Sequence, residues 1–197
     1  QWYPKAQAEF QSEYQIRDFH GRALWVYPFR VLPTENTLRV YSELSIKVSF
    51  STDKSITTPS RIDRTFEGLY QEHFINYSAA KYDPVSEEGK MLIISHADFI
   101  EAMSPFSDWK TQIGIENEIV DVATIGDAED IKQYVQEYYD TSGLTYLLLV
   151  GDHQQVPADL LSAGYSDNSY AYVAGDDHYP DLFVGRFSAE SVSDVET

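Results

Sequence analysis

The sequence predicts an α/β fold, a parallel-sheet subdomain preceded by antiparallel β strands. Three observations carry this. Tyr146-Leu147-Leu148-Leu149-Val150 is an unbroken apolar run after a helical segment, as in a central parallel strand covered on both faces. From Met91 onward strand-like and helix-like segments alternate, the rhythm of βαβ units joined by crossovers. Leu38 to Phe50 alternates with period two, placing Leu38, Val40, Ser42, Leu44, Ile46, Val48 and Phe50 on one face, as in an antiparallel sandwich.

Taken in order, residues 1–50 read as β. Tyr14 to Asp18 alternates weakly, and Phe19-His20-Gly21-Arg22 has the composition of a turn, in which His20 is a turn residue rather than a ligand. Ala23 to Arg30 is strand-like, Leu32 to Asn36 forms a second turn around Pro33, and the alternating segment follows. Residues 51–65 are rich in Ser, Thr, Lys and Asp and form a linker. Thr65-Phe66-Glu67-Gly68 opens a short helix bearing Phe66, Leu69, Tyr70, Phe74 and Ile75. A second polar stretch, 77–90, separates the β part from the α/β part.

Met91 to Ser95 is a short buried strand. Asp98 is the expected N-cap of a segment reaching Trp109 and Ile113, interrupted near Pro105. Ile119 to Val122 is the next strand. Asp127-Ala128-Glu129-Asp130 opens a helix through Tyr139, its acidic first turn matching the helix dipole and Ile131, Tyr134, Val135 and Tyr138 forming its buried face. Gly143 ends it, and the central strand follows. Leu182 to Phe187 is a further apolar run, and Ser188-Ala189-Glu190-Ser191 caps another helix.

The 197 residues carry a formal charge of −18, which argues against nucleic acid, because phosphate recognition needs clustered Lys and Arg. The same charge suits a solvated acidic surface or a cation-binding protein. With no cysteine there is no disulfide and no thiolate metal site. No run approaches the ~20 apolar residues of a membrane span. Gln1 stands where an initiator Met would, and no secretory apolar region follows, so an excised or processed fragment is expected.

One constellation has metal logic. Asp177, Tyr179 and Asp181 are spaced by two in the turn Gly175-Asp176-Asp177-His178-Tyr179-Pro180-Asp181, and Asp152 lies at a strand end where ligands gather in parallel sheets. If the turn curls, two carboxylates and a carbonyl face one point, and all-oxygen ligation selects Ca²⁺ before Mg²⁺. It is not an EF-hand, since Ser188 stands eleven residues after Asp177. The same residues also serve an acidic hairpin turn for backbone reasons alone. His153 and His178 read as structural, because no serine lies in a nucleophile-elbow context and no thiol exists. Asp152 as a receiver-type phospho-acceptor is disfavoured, because Ser95-His96-Ala97-Asp98 offers one acid where a Mg²⁺-holding pair is needed.

Across Tyr146 to Glu190 the chain resembles the gingipain-type cysteine peptidases. The strand into Gly151-Asp152-His153, the Ser166-Asp167 segment, Gly175-Asp176-Asp177-His178-Tyr179 and Val184-Gly185-Arg186-Phe187-Ser188 stand in family order. Upstream, Phe66-Glu67-Gly68-Leu69-Tyr70 through Phe74-Ile75-Asn76-Tyr77, then Lys81-Tyr82-Asp83-Pro84-Val85, resembles the end of the family's propeptide running into the mature N-terminus. Arg17-Asp18-Phe19 and Leu38-Arg39-Val40-Tyr41 resemble the last prodomain strands.

The resemblance implies three parts: residues 1–50 as the C-terminal strands of a β-sandwich prodomain, 51–81 as the linker and short helix ending the propeptide, and 82–197 as an incomplete N-terminal subdomain of a caspase-like catalytic domain. It implies processing between Lys81 and Tyr82, with Arg61 and Arg64 as competing sites. It implies calcium, held by Asp152, the Ala174 carbonyl, Asp177, the Tyr179 carbonyl and Asp181. The family's catalytic His and Cys fall outside these residues, so no catalytic residue is expected within the chain. The implied protein is a secreted or cell-surface cysteine endopeptidase zymogen. Its partners are the rest of its own catalytic domain and peptide or protein substrates. A catalytically silent, calcium-stabilised assembly module is the alternative.

Overall fold

The computed structural model describes residues 1–49, 59, 61–84 and 89–196. The chain divides into two compact units, Gln1–Tyr14 with His20–Thr58, and Gln15–Phe19 with Pro59–Thr197. Strands β1 (Ala8–Ile16) and β2 (Phe19–Val26) form a two-stranded sheet whose tip, Gln15–Phe19, groups with the second unit. Strands β3 (Phe29–Leu32) and β4 (Thr37–Val40) form an antiparallel hairpin with Phe29 opposite Val40 and Leu32 opposite Thr37. Its connection is a 3₁₀ turn, Pro33–Glu35, closed by Asn36 in the left-handed region. That is where Pro33 and Asn36 place it, since Pro presets the first turn dihedral and Asn tolerates positive φ.

Two expectations for this part fail. The turn assigned to Phe19-His20-Gly21-Arg22 falls instead at Arg17-Asp18, and His20 lies in β2 with its Nδ1 3.2 Å from Glu13 Oε1. The long strand from Leu38 stops at Val40, and both residues are more than 60% exposed. Alternation defines a strand only when a partner pairs with it. Among the described residues β4 pairs with β3 alone, which is four residues long. Phe50 and linker residues 51–58 and 60 lie outside the described set, as do 85–88.

In the second unit, β5 (Arg61–Ile62) pairs in parallel with β6 (Asp83–Pro84), on either side of α1 (Glu67–His73). Phe66 and Tyr70 are buried, whereas Ile75, assigned to the same apolar face, is 97% exposed because the helix ends before it. Then come β7 (Lys90–Ser95), α2 (Ile100–Gln112), β8 (Asn117–Asp121), α3 (Ala128–Ser142), β9 (Leu144–Val150), a hairpin of β10 (Asp159–Leu161) and β11 (Gly164–Ser166), β12 (Phe183–Phe187) and α4 (Val192–Val195). The sheet order is β12-β9-β7-β8, all parallel. The expected fold class is the one found: a parallel-sheet α/β subdomain preceded by antiparallel strands.

The sheet is covered on both faces, as the apolar runs require. Leu92, Ile94, Leu147 and Leu149 meet Ile131 and Val135 of α3 on one side. Met91, Ile93, Leu148 and Val150 meet Phe99 and Met103 on the other. Helix α3 begins with a capping box in which Asp127 accepts from the Glu129 and Asp130 N–H groups and Asp130 accepts from the Asp127 N–H. It ends at Gly143, φ 71°. Helix α2 departs from expectation twice. His96, not Asp98, caps the 3₁₀ turn Ala97–Phe99 that leads into it, and Pro105 sits inside the continuous helix. Proline removes one backbone bond there, but the buried Met103 and half-buried Phe106 keep the helix on the sheet.

Candidate metal centre

Asp152 sits just past the carboxyl end of β9. Its carbonyl accepts from the Gln155 and Val156 N–H groups, and its own N–H donates to the Ala189 carbonyl. Gly151 makes this turn possible, because its φ is 132° and a Cβ would come within 2.9 Å of the Gln155 side chain. The Asp152 carboxylate lies 3.1 Å from His153 Nδ1, and the His153 ring packs on Tyr165 at 4.6 Å. The His153 backbone N–H, with smaller help from the imidazole and Arg186, holds the Asp152 carboxyl below the usual range. Arg186 braces the turn, with a bidentate pair to Asp167 at 2.7 and 2.8 Å and two further bonds at 2.8 Å to the Gly151 and Val156 carbonyls.

The acidic turn lies at the other end of the strands. In the β12–β9 register Phe183 pairs with Tyr146 and Phe187 with Val150, so Asp181 flanks the amino end of β12 while Asp152 follows the carboxyl end of β9. Seven residues of extended chain, Leu144–Val150, at ~3.3 Å each put roughly 20 Å between them. No cation bonded at ~2.4 Å can use both. Among the described residues no group of three or more His, Cys, Asp or Glu side chains could hold a metal ion. The expected shell of Asp152, Ala174, Asp177, Tyr179 and Asp181 therefore does not assemble at one point.

The turn's carboxylates are committed elsewhere. Asp177 Oδ1 accepts from the Tyr179 N–H at 2.8 Å and Oδ2 from the Gln15 N–H at 2.6 Å. Asp181 is fully buried. Its Oδ1 accepts from the Arg17 N–H at 2.6 Å, and its Oδ2 accepts from the Val173 and Ala174 N–H groups at 3.1 and 2.8 Å. Burial pushes the Asp181 carboxyl up, and these three N–H donors oppose that rise. The positive partner beside the turn is a side chain. Arg17 donates to the Leu144, Asp181 and Gly143 carbonyls at 2.7, 3.1 and 3.4 Å. The donor set does not fit a divalent ion in this arrangement, and no chemical step is routed through one.

His178 packs on Tyr172 at 5.4 Å. Sequence reasoning found Arg17 only as part of the Arg17-Asp18-Phe19 resemblance and gave it no role. Its one signal is an arginine between two strand-like stretches, where a turn residue with a short side chain is the rule.

Lys81 ends the exposed 3₁₀ turn Ala79–Lys81. Tyr82 is half-buried, stacked on Tyr77 at 5.6 Å and edge-on to Phe19 at 5.0 Å. Phe19 also packs on Tyr70, at 4.7 Å.

Two family models divide the chain between residues 84 and 85. The model of peptidase family C25 matches residues 85–197, and that of the C25 propeptide matches residues 1–84. Gingipain R2 of Porphyromonas gingivalis is 35% identical over 207 aligned residues, covering all of this chain and 28% of the relative. Lys-gingipain of the same organism is 26% identical, covering 91% of this chain and 11% of the relative. Among solved structures, the complex of Porphyromonas gingivalis RgpB pro- and mature domains matches at 39% identity and TM-score 0.54, over 55% of this chain and 27% of that one. The Arg-specific cysteine proteinase gingipain R matches at 39% and 0.54, over 59% and 28%. The chain thus spans a little over a quarter of gingipain R2, a relative it matches over its whole length. It belongs to peptidase family C25, the gingipain cysteine peptidases, and joins the end of the propeptide to the beginning of the peptidase domain.

Proposed function

We propose that this chain is part of a secreted cysteine endopeptidase zymogen, in which residues 82–197 start the mature enzyme and residues 1–81 end its propeptide. The observation that carries this is the interlocking of the two stretches within one compact unit. Hairpin tip Gln15–Phe19 and the segment Asp63–Phe66, both in the propeptide match, meet the peptidase strands: Arg17 donates to the Leu144 carbonyl, Asp63 accepts from the Thr145 hydroxyl, and Phe66 packs on Phe183 at 4.9 Å. In the intact protein the reaction is thiolate attack on a peptide carbonyl, assisted by a general base and an oxyanion site. This chain contains no thiol, so its own residues supply the sheet edge and the start of the fold rather than the nucleophile.

Processing between Lys81 and Tyr82 fits an exposed lysine in a single turn of 3₁₀ helix between polar stretches. N-terminal sequencing of the matured full-length protein tests the reading. A mature chain starting at Tyr82 is the expected result, and a start after Arg61 or Arg64 would overturn the site.

A further inference from the structure

We propose that Arg17 is the latch that keeps the propeptide on the peptidase subdomain once the chain between them is cut. The proposal rests on the zymogen reading and adds the residue that governs release. Arg17 has φ 45°, in the left-handed region, where Gly or Asn would sit with least strain. An arginine at such a turn is explained by what its side chain reaches. The side chain is 8% exposed, and the guanidinium lies 4.8 Å from the Phe66 ring centre and 5.3 Å from that of Tyr139. It donates to the Gly143, Leu144 and Asp181 carbonyls, and Asp63 stands 3.8 Å away, itself held by the Thr145 hydroxyl at 2.6 Å.

These partners come from both sides of the proposed cut. Asp63 and Phe66 lie before Lys81, and Tyr139, Gly143, Leu144 and Asp181 lie after it. Gly143 is also the C-cap of α3, where the helix dipole favours a cation. A cut at Lys81 removes the covalent tether and leaves the Arg17 contacts intact. The Gln15 and Arg17 N–H groups on Asp177 and Asp181 hold the tip in the same place. Release of residues 1–81 then requires a buried cation, leaving together with Asp63, to give up three carbonyls on the peptidase side, a slow step.

The test uses the whole 197-residue chain with a site-specific protease sequence inserted after Lys81, so that cleavage does not depend on natural maturation. Parent, Arg17→Lys, Arg17→Met and Arg17→Gly proteins are cut, and retention of the 1–81 fragment is measured by gel filtration over a dilution series. The parent fragment should stay bound. Arg17→Met should bind at least about 10-fold more weakly, the low end for losing a hydrogen bond from a charged donor, and Arg17→Lys should fall between. Arg17→Gly is decisive because it relaxes the turn yet removes the side chain, so it should release like Arg17→Met. Amide protection of β7 and β9 in the uncut variants reports folding. If Arg17→Met fails to fold, Arg17→Gly and Arg17→Lys decide. Prompt release from the parent, or parent-like retention by the glycine variant, would overturn the latch. A natural mature start away from Tyr82 would sink the processing site and leave this result standing.

Discussion

Replacing Asp181 by Asn should destabilise the chain by about 1–3 kcal/mol, and equally in EDTA and in calcium. The carboxylate accepts three backbone N–H groups, one on Oδ1 and two on Oδ2. An asparagine keeps one acceptor. Its best placement leaves the oxygen on Val173 and Ala174 and turns its NH₂ toward the Arg17 N–H, so two donors face each other at a 2.6 Å contact. Losing a hydrogen bond to a charged acceptor costs about 1.5–3 kcal/mol. Relief of the buried charge, which already pushes this carboxyl up, offsets part of it. At roughly 2–4 °C per kcal/mol the melting temperature should fall by several degrees. The assay is thermal unfolding of parent and variant after exhaustive dialysis, with EDTA and with added calcium. An unchanged melting temperature, or a loss seen only with calcium, would refute the account of Asp181 as an acceptor of N–H groups rather than a cation ligand.

Other outcomes follow from the same geometry. Burial pushes the Asp18 carboxyl up, against the Tyr70 hydroxyl and Arg17, which lower it. Its folded pKa therefore lies above the unfolded value near 3.8, the folded state binds more protons in that window, and stability from this group falls as pH rises through it. Parent protein should thus gain melting temperature relative to Asp18→Asn as pH drops from 7 toward 4, and parallel pH curves would contradict this. Gly151→Ala forces a left-handed φ and a 2.9 Å contact, so it should cost about 1–3 kcal/mol in a urea titration. The 197-residue chain should cleave no fluorogenic peptide, since it has no thiol; activity insensitive to thiol reagents would sink the family chemistry.

The sequence made the second unit legible and the first only in outline. Leu147 to Val150 and Met91 to Ile94 announce buried strands because both faces of a covered parallel sheet select apolar residues. Asp127, Asp130 and Gly143 mark the ends of α3 through local capping chemistry. The pattern of Leu38 to Phe50 misled because alternation reports a face, not the presence of a partner strand. The metal reading grouped Asp152 with the acidic turn, which the strand pairing keeps apart. Spacing by two within Asp177 to Asp181 is visible in one dimension, but the placement of Asp152 at the opposite strand end is fixed only by the parallel pairing of β12 with β9. The role of Arg17 was hidden for the same reason, since its partners at 63, 143, 144 and 181 converge only through the fold.

Residue-resolved hydrogen exchange of the uncut chain addresses the central claim, that the hairpin tip is built into the peptidase-side unit. The Gln15 and Arg17 amides donate to Asp177 and Asp181, and the Arg17 guanidinium is buried. Both amides should exchange as slowly as those of β7 and β9, because opening the tip requires withdrawing the guanidinium from its carbonyls. Exchange at the rate of a solvent-exposed turn would contradict it.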